Sequence, residues 1–144
     1  MKALIQRVTS SSVEVDGTNV GQINKGLLVF IGIEKLDELS HADKMINKIL
    51  SYRVFSDEND KMNLSVSDIN GDVLIVSQFT LAADTKNGTR AGFSTAMKPL
   101  EAENIYDYMV ENFKTFVNIQ SGVFSADMKV SLVNDGPVTF LLEC

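Results

Sequence analysis

Two short polar stretches of the sequence contain residues that could do chemistry. The stretch SQFTL, at positions 77–81, brings Ser77, Gln78 and Thr80 to the end of a strongly apolar run, with Phe79 among them. The stretch NDGP, at positions 134–137, interrupts an alternating apolar pattern near the end of the chain. Taken singly, each is more typical of an ordinary strand end or turn. Polar residues that end a buried strand are nevertheless common in binding sites, and the two stretches together indicate one.

The usual catalytic side-chain sets are almost absent, which leaves hydroxyl and amide chemistry. The only histidine, His41, falls at a predicted helix start, where a solvated surface position is expected. A Ser-His-Asp or Cys-His triad would have to use it, and no G-x-S-x-G elbow is present. Neither of the glycine-rich nucleotide-binding motifs, G-x-x-x-x-G-K-[ST] and G-x-G-x-x-G, occurs.

The acidic stretch at 57–68 resembles a calcium-binding loop only superficially. Its sixth position is Met62 instead of glycine and its last is Asp68 instead of glutamate, so a solvated acidic loop is the better interpretation. The single cysteine, Cys144, excludes an internal disulfide and a cysteine-based metal cluster. The sequence therefore predicts neither a metal site nor a cofactor.

Length and composition predict one domain over residues 1–144 and a cytoplasmic location. Hydrophobic residues make up 44% and charged residues 22%, which are ordinary values for a globular protein. The longest apolar run, at 27–33, is far shorter than the roughly 20 residues that cross a membrane, and residues 1–8 do not resemble a signal peptide. A net charge of −6 argues against a protein that coats nucleic acid nonspecifically, but it is compatible with a small basic surface that binds one RNA end.

The elements that must position the two polar stretches begin with β-strands. Apolar alternation and turn residues predict strands at 3–8, 12–16, 19–23 and 26–33, the last buried on both faces. The period then becomes helical, because Ser40 and Asp43 resemble a capping box and an apolar face follows. The residues of that face are Ala42, Met45, Ile46, Ile49 and Leu50.

The second half of the chain predicts a buried strand at 72–81, a surface loop at 82–92 and a second helix with Pro99 in its first turn. Strands near 117–121, 129–133 and 138–142 follow, with Gly136-Pro137 between the last two. The apolar stripe of the second helix is Ala102, Ile105, Tyr106, Met109, Phe113 and Phe116.

About eight strands and two helices result, with the helices on one face of a mixed, largely antiparallel sheet system. This pattern indicates an α+β fold. Period-2 alternation along 72–81 places Ser77 and Phe79 on one face of the strand and Gln78 and Thr80 on the other.

Six segments together resemble the D-aminoacyl-tRNA deacylase family, also called D-tyrosyl-tRNA deacylases. They are ALIQRV, GLLVFIGI, KMNLSV, VSQFTL, ADT and SLVNDGPVT, and the resemblance extends from Met1 to Leu142. Both family motifs, S-Q-F-T-L and N-x-G-P-V-T, match without change at 77–81 and 134–139. The resemblance implies a homodimer, with its active site at the subunit interface, that hydrolyses the ester between a D-amino acid and the terminal ribose of tRNA. It also implies removal of glycine mischarged onto tRNA.

The resemblance further implies how the handedness of the substrate is tested. In such enzymes the Gly136-Pro137 peptide bond is cis, and this motif of one subunit enters the active site of the other. Two carbonyls held rigidly would bind the substrate ammonium group. An L side chain would collide with the backbone, whereas hydrogen or a D side chain would pass. A Cβ at position 136 would crowd the approach, which explains the glycine.

The same resemblance places Ser77, Gln78, Phe79 and Thr80 around the scissile ester at the 3′ end of the aminoacyl-tRNA. Backbone N–H groups near Phe79 and Thr80 would stabilise the oxyanion. No histidine or lysine is evident beside Thr80 to take its proton. We therefore favour water activated with help from the ribose 2′-hydroxyl, with Thr80 as a positioning group; attack by Thr80 is the alternative.

Four further residues have expected supporting roles. Arg7 matches a family arginine and is expected to brace the Gly-Pro segment through its carbonyls, the alternative being an exposed edge-strand arginine. Asn134 belongs to the second motif and is expected to support the same segment. Lys86 and Arg90 flank the loop beside the site and either hold terminal phosphates or are scattered surface charge.

Three departures from the family pattern lie outside the two motifs. Ala82-Ala83-Asp84-Thr85 stands where Tyr-Ala-Asp-Thr is common, and Arg90-Ala91-Gly92-Phe93 stands where Arg-Pro-Ser-Phe is usual. Phe124-Ser125-Ala126 replaces Phe-Gly-Ala. The first two departures affect the adenosine-side pocket and the rigidity of the loop, and the third affects the space for the amino acid.

Two other functions are compatible with the residues. A hydrolase or binder of small D-amino-acid esters or amides would not need tRNA, and equal turnover of D-Tyr-tRNA and a D-Tyr alkyl ester would favour it. A structural dimerisation domain would use Gly136-Pro137 as a plain turn and would have no deacylase activity to lose.

Overall fold

The computed structural model describes all 144 residues, which form eight strands and two helices. In chain order the strands are β1 (Lys2–Val15), β2 (Thr18–Ile23), β3 (Gly26–Gly32), β4 (Phe55–Ser56), β5 (Met62–Leu64), β6 (Asp72–Ser77), β7 (Ile119–Ser121) and β8 (Lys129–Glu143). The helices are α1 (Leu39–Ser51) and α2 (Pro99–Phe113), and a 3₁₀ turn covers Phe79–Ala82. This is the α+β class that the sequence predicts. Neither helix is long and apolar enough to cross a membrane.

Six strands form one mixed sheet whose centre is parallel. β3 pairs with β6 and β6 with β7 in parallel, while β1 runs antiparallel to β2, β3 and β8. β3 and β2 pair with residues 2–8 and 11–15 of β1, and β8 pairs with β1 from Lys2 to Glu14. β4 and β5 form a separate two-stranded sheet. Since β8 has no strand partner other than β1, its outer edge is open.

Two predicted strand breaks are wrong, because β1 and β8 each run without interruption. The strands predicted at 3–8 and 12–16 are the two ends of β1, and those predicted at 129–133 and 138–142 are the two ends of β8. β1 and β8 remain paired with each other through the polar segments. Their pairing register shifts on both sides of Val8. A bulge of this kind absorbs extra residues without ending a strand. Gly136-Pro137 therefore lies within a paired strand and is not a hairpin turn.

The sheet separates two hydrophobic cores. A cluster of 23 buried residues fills the space between one sheet face and both helices. On the opposite face, the outer half of β1 and β2 fold over β3 and β6 and enclose a smaller cluster of Val8, Val13, Ile23, Leu28, Leu74 and Val76. Successive side chains of β3 and β6 enter opposite cores, which is why both strands are apolar at almost every position.

The two helices are predicted correctly except at their ends. α1 begins at Leu39, before Ser40, and the N–H of Glu38 donates to Nδ1 of His41 at 3.1 Å. His41 is half-buried there, so its ring contributes to the helix start instead of only facing solvent. α2 begins at Pro99 as predicted, but it ends at Phe113, and Phe116 lies beyond it with 60% of its surface exposed.

β6 ends at Ser77, four residues before the predicted end. The N–H of Gln78 donates to the carbonyl of Ile31 at 2.7 Å, and the chain then turns into the 3₁₀ segment. This turn lies directly on Gly32, where an added Cβ would be only 2.7 Å from Cβ of Leu81, so the close approach requires a residue without a side chain. The strand alternation predicted beyond Ser77 is therefore wrong.

Tyr106 of α2 contacts β6 near the carboxyl end of that strand. Loss of its hydroxyl is expected to lower the stability of the fold by a small but measurable amount. Its buried hydroxyl donates to the carbonyl of Ile75 at 3.0 Å, and that carbonyl also accepts the N–H of Gly122 at 2.9 Å. Because the carbonyl keeps one partner, we expect Tyr106→Phe to lower the free energy of unfolding by about 1 kcal/mol and Tm by about 2–4 °C.

The same contact predicts a pH dependence. Burial, and to a lesser degree the neighbouring Asp107 carboxylate, raise the pKa of Tyr106 above its ordinary value. The stability contributed by the neutral phenol is therefore present below a pH of about 10, the unfolded value, and is lost as pH rises toward the folded pKa. Thermal unfolding from pH 8 to pH 11 should show wild type losing stability faster than Tyr106→Phe. Tyr52→Phe is the control, because the Tyr52 hydroxyl makes no hydrogen bond in the structure, and equal slopes for wild type and Tyr106→Phe would contradict the prediction.

Candidate active site

A cavity of about 390 Å³ opens at the carboxyl ends of β3 and β6. One wall contains Ser77, Gln78 and Phe79, so three of the four residues predicted around the ester line a single cavity. The remaining lining residues, mostly hydrophobic, are Ile31, Ile33, Val76, Met97, Pro99, Ala102, Phe124, Ser125, Ala126, Met128 and Val130. Ligands commonly bind at the carboxyl ends of parallel strands, and an apolar cavity with a few polar groups at its mouth is suited to a small organic group.

Thr80 lies beside the cavity wall and is oriented by Gln78. Nε2 of Gln78 donates to Oγ1 of Thr80 at 2.6 Å, and this is the only hydrogen bond that the Thr80 hydroxyl oxygen makes. The hydroxyl oxygen is thus used as an acceptor, which leaves its own hydrogen free to be donated. No histidine, lysine or carboxylate is hydrogen-bonded to Thr80 to take that hydrogen as a base. The arrangement is suited to holding a substrate oxygen or a water molecule.

The backbone around the 3₁₀ turn offers unpaired donors. The first hydrogen bond of the turn is from the N–H of Leu81 to the carbonyl of Gln78 at 3.1 Å. The N–H groups of Phe79 and Thr80 precede it and have no acceptor within the turn. Two free N–H groups next to a cavity wall have the character of an oxyanion hole.

The loop after the turn is held at its base and exposed at its tip. Asp84 and Gly92 pair through two backbone hydrogen bonds of 2.8 and 2.9 Å, which close the loop. Lys86 and Arg90 lie between them and are exposed. Phe93 follows the closure and packs on Phe79 with ring centroids 5.0 Å apart.

The second polar stretch is fixed in place by side chains of its own neighbourhood. The Gly136-Pro137 peptide bond is cis and both residues are exposed. Nε of Arg7 donates to the carbonyl of Asp135 at 3.1 Å and lies 3.5 Å from its carboxylate, while Nη1 donates to the carbonyl of Val54 at 2.7 Å. The Arg7 side chain is only 14% exposed, so it is not a free edge-strand arginine.

Asn134 holds the other side of the same segment. Its Oδ1 accepts the N–H of Val138 at 3.1 Å, and its Nδ2 donates to Oγ1 of Thr139 at 2.9 Å. Asn134, which precedes Gly136-Pro137, is thus tied to the two residues that follow it. With Arg7 opposite, the exposed segment has little freedom to move aside.

Within one chain the two polar stretches are far apart. Arg7, which touches the Gly-Pro segment, pairs with Leu27 of β3, whereas Ser77 is reached four residues further along β3 and β6. Three strand spacings of about 4.8 Å and four residues of about 3.3 Å put Gly136 and Ser77 roughly 20 Å apart. The structure therefore brings Ser77–Thr80 together around one cavity and Arg7 and Asn134 together around Gly136-Pro137, but it does not join these two groups.

Most residues of the cavity wall opposite Ser77–Phe79 could not be predicted from residue types alone. Met97 and Pro99 come from the start of α2, and Phe124–Ala126 follow β7, so no local pattern links them to SQFTL. In the sequence, Phe124–Ala126 are distinguished only by their departure from the family pattern. Ser125 adopts a left-handed backbone conformation with φ of 62°, which is the conformation that the usual glycine would favour. The departure at this position therefore keeps the backbone shape and adds a hydroxyl to the cavity wall.

Comparisons with known proteins agree over nearly the whole chain. The family model described as D-Tyr-tRNA(Tyr) deacylase matches residues 4–143. A protein of Vibrio cholerae (strain M66-2) named D-aminoacyl-tRNA deacylase is 56% identical over 143 residues, and one of Aliivibrio fischeri (strain MJ11) with the same name is 54% identical. In both cases the match covers 99% of each protein.

Two solved structures have the same fold. One, titled c-Myc DNA Unwinding Element Binding Protein, has a TM-score of 0.96 and 41% identity and covers 100% of this chain and 99% of that one. The other, described as a probable eukaryotic D-amino acid tRNA deacylase, has a TM-score of 0.86 and covers 98% and 97% of the two chains. At 14% identity, the second likeness speaks for the fold alone.

Proposed function

The chain belongs to the D-Tyr-tRNA(Tyr) deacylase family and is a hydrolase, a D-aminoacyl-tRNA deacylase, and we propose that two copies of it share each active site. One copy supplies the cavity with Ser77–Thr80, and the other supplies the Gly136-Pro137 segment. The substrate is the 3′ end of tRNA carrying a D-amino acid or glycine, and the products are the free amino acid and tRNA.

The observation that carries this proposal is the separation of the two motifs within one chain. Both are exposed, yet they lie roughly 20 Å apart by strand geometry. A single aminoacyl ester at the cavity cannot touch both motifs of the same copy. If both act on one substrate, the Gly136-Pro137 segment has to come from a second copy.

The surface around Gly136-Pro137 supports an association of two copies. The outer edge of β8 is open over a strand of 15 residues, and open strand edges of this length are usually covered. Exposed apolar side chains lie along the same strand: Val133 is 56%, Phe140 37% and Leu141 53% exposed. A homodimer that buries this strand would carry the Gly-Pro segment of each copy to the other.

Chiral selection follows from the rigidity of that segment. Arg7 holds the carbonyl of Asp135, and Asn134 bonds the backbone at Val138, so the segment cannot retreat from a substrate. Set against the substrate Cα, it leaves room for a hydrogen but not for an L side chain. A D side chain points away from it, so different D-amino acids are tolerated, and glycine is accepted because it has no side chain to collide.

Catalysis uses few groups because an aminoacyl ester is already reactive. The free N–H groups of Phe79 and Thr80 stabilise the oxyanion, a contribution of roughly 2.7–4 kcal/mol per donor. Thr80, held by Gln78, positions the substrate or the water. The ribose 2′-hydroxyl helps to activate the water that attacks, and the ester oxygen leaves on the tRNA.

Mixed dimers test the shared site directly. Thr80→Ala and Gly136→Ala are each expected to be nearly inactive on D-Tyr-tRNA. When the two variants are co-expressed, about half of the dimers are mixed, and each mixed dimer has one site with both motifs intact. We therefore expect about a quarter of the wild-type rate of D-tyrosine release to return.

The matched control is co-expression of Thr80→Ala with Gln78→Ala, both from the cavity half, which should restore nothing. A site built within one copy predicts no recovery in either mixture, and that result would overturn the proposal. Wild-type release measured on D-Tyr-tRNA, L-Tyr-tRNA and Gly-tRNA completes the test, since rapid release of L-tyrosine would contradict selection by collision.

A further inference from the structure

Four basic side chains on the two segments that flank the cavity, the one after β3 and the 84–98 loop, have no ion-pair partner. They are Lys35, Lys86, Arg90 and Lys98, all of them exposed, and we call them the basic rim. The basic groups that do form ion pairs are the N-terminus, Lys2, Arg7, Lys114 and Lys129. Five other basic side chains are also unpaired, so it is the position of these four on segments beside the cavity that sets them apart.

Backbone pairing gathers the basic rim on one side of the cavity. The N–H of Lys35 donates to the carbonyl of Thr95 at 2.8 Å, and the N–H of Met97 donates to the carbonyl of Ile33 at 3.1 Å. The segment after β3 therefore runs beside the end of the 84–98 loop. Lys98 lies between two residues of the cavity wall, and Lys86 and Arg90 occupy the tip of the same loop.

Several of the carboxylates nearest to the rim already have partners. Glu34 and Asp37 each accept a hydrogen bond of 2.8 Å from the ammonium of Met1. Asp84 accepts the N–H of Lys86 at 3.0 Å within the loop. Glu101 lies a turn further along α2, where its charge favours the helix N-terminus. No carboxylate lies within ion-pair distance of these lysines and this arginine, which leaves them available to a ligand.

An exposed aromatic pair joins the cavity wall, through Phe79, to the 84–98 loop, through Phe93. Phe79 is 61% and Phe93 46% exposed, and their rings are tilted by 42° at 5.0 Å. Aromatic faces beside basic side chains are the arrangement that binds single-stranded nucleic acid, because bases stack on the rings while phosphates meet the charges. The combination of exposed aromatic faces with positive charges therefore favours a nucleic acid over a protein partner.

We propose that the basic rim and Phe93 bind the unpaired nucleotides that precede the terminal adenosine of the substrate. Lys35 and Lys98 contact phosphates closest to the cavity, Lys86 and Arg90 contact those further out, and Phe93, backed by Phe79, stacks against a base. This inference rests on the proposed function, since it concerns the nucleotides next to the RNA end that the proposed active site binds. It assigns Lys35, Lys98 and Phe93, which lie outside both motifs, to substrate specificity.

The test compares two substrates that differ in phosphates. One is D-Tyr-tRNA, and the other is the D-tyrosyl ester of adenosine, which has the ester and the ribose but no phosphate. For the double variant Lys35→Ala/Lys98→Ala we expect the ratio of kcat/KM on tRNA to kcat/KM on the adenosine ester to fall about tenfold. The salt dependence on tRNA should weaken by about 0.7 in log–log slope for each phosphate that the variant no longer neutralises. Phe93→Leu should lower the same ratio about tenfold without changing the salt slope.

Lys25→Ala is the matched control, because Lys25 is an exposed lysine without an ion pair at the opposite end of β3. Lys35→Arg/Lys98→Arg should keep the wild-type ratio and thereby separates the effect of charge from an effect on folding. The inference is overturned if the alanine double variant behaves like Lys25→Ala, or if both substrates lose rate in equal proportion. If the wild-type protein hydrolyses neither substrate, the proposed function itself is contradicted. If it hydrolyses both equally well, only the role of the basic rim in binding RNA is contradicted.

Discussion

Replacement of Gly136 by alanine is expected to lower kcat/KM for D-Tyr-tRNA by at least about 100-fold. Gly136 has φ of 125°, a conformation that costs a residue with a side chain about 1–3 kcal/mol. An added Cβ would lie 2.8 Å from Cγ2 of Val138 and 2.9 Å from Nη2 of Arg7. The added Cβ therefore displaces the Val138 and Arg7 side chains or the backbone that Arg7 holds, and an error of about 1 Å at a reacting centre can cost 100-fold in rate.

The measurement is the rate of D-tyrosine release, with Gly17→Ala as the matched control. Gly17 also has a positive φ, 76°, but an added Cβ there meets nothing within 4 Å. Its replacement carries a backbone penalty of its own at the β1–β2 turn, outside both motifs. We expect Gly17→Ala to lose stability and to keep its specific activity. A Gly136→Ala enzyme with activity within threefold of Gly17→Ala would show that the segment does not meet the substrate.

The discrimination between D- and L-tyrosyl esters gives the same variant a second readout. If the Gly136-Pro137 segment excludes L side chains by collision, its displacement reduces activity on the D-ester more than on the L-ester. The ratio of the two rates should therefore narrow. A uniform loss on both esters would mean that Gly136 supports the fold alone.

Much of the fold could be predicted from the sequence because its signals are local. The stretches at 26–33 and 72–77 are apolar on both faces, as strands between two cores must be. The helical stripe from Ala42 to Leu50 is entirely buried. The errors arise where partners distant in sequence decide the structure, as when β8 keeps β1 extended across Ser10 and Ser11 although no local pattern requires it.

The site was less accessible to sequence reasoning than the fold. SQFTL indicates a polar strand end, but the turn that packs Leu81 against Gly32 involves a strand more than 40 residues away in the sequence. The opposite wall comes from Met97 to Ala102 and from Phe124 to Val130, which no spacing rule connects to position 77. The bracing of Gly136-Pro137 by Arg7 depends on a pairing between residues 128 positions apart.

The second large effect is expected from the substrate and not from a side chain. We expect D-Tyr-tRNA that ends in 2′-deoxyadenosine, with tyrosine fixed on the 3′-oxygen, to be hydrolysed about 10²–10⁴-fold more slowly than the ribose form. The reason is that Thr80, which accepts a hydrogen bond from Gln78, has no base beside it, so the hydroxyl that helps to activate water has to come from elsewhere. Because the 2′-hydroxyl also assists spontaneous hydrolysis, each enzymatic rate is divided by the uncatalysed rate of the same ester.

The fate of the acyl group and the 2′-deoxy substrate separate this mechanism from direct attack by Thr80. A positioning hydroxyl predicts that Thr80→Ala loses about 100-fold and that Thr80→Ser, which keeps the hydroxyl, stays close to wild type. It also predicts that no acyl group stays on the protein when a reaction with labelled D-tyrosine is quenched. A nucleophilic Thr80 would instead leave a labelled acyl-enzyme, and it would make the 2′-deoxy substrate nearly as good as the ribose form, since the protein would then supply the attacking oxygen. Either observation would show that the hydroxyl essential to the reaction is that of Thr80 and not the ribose 2′-hydroxyl of the tRNA.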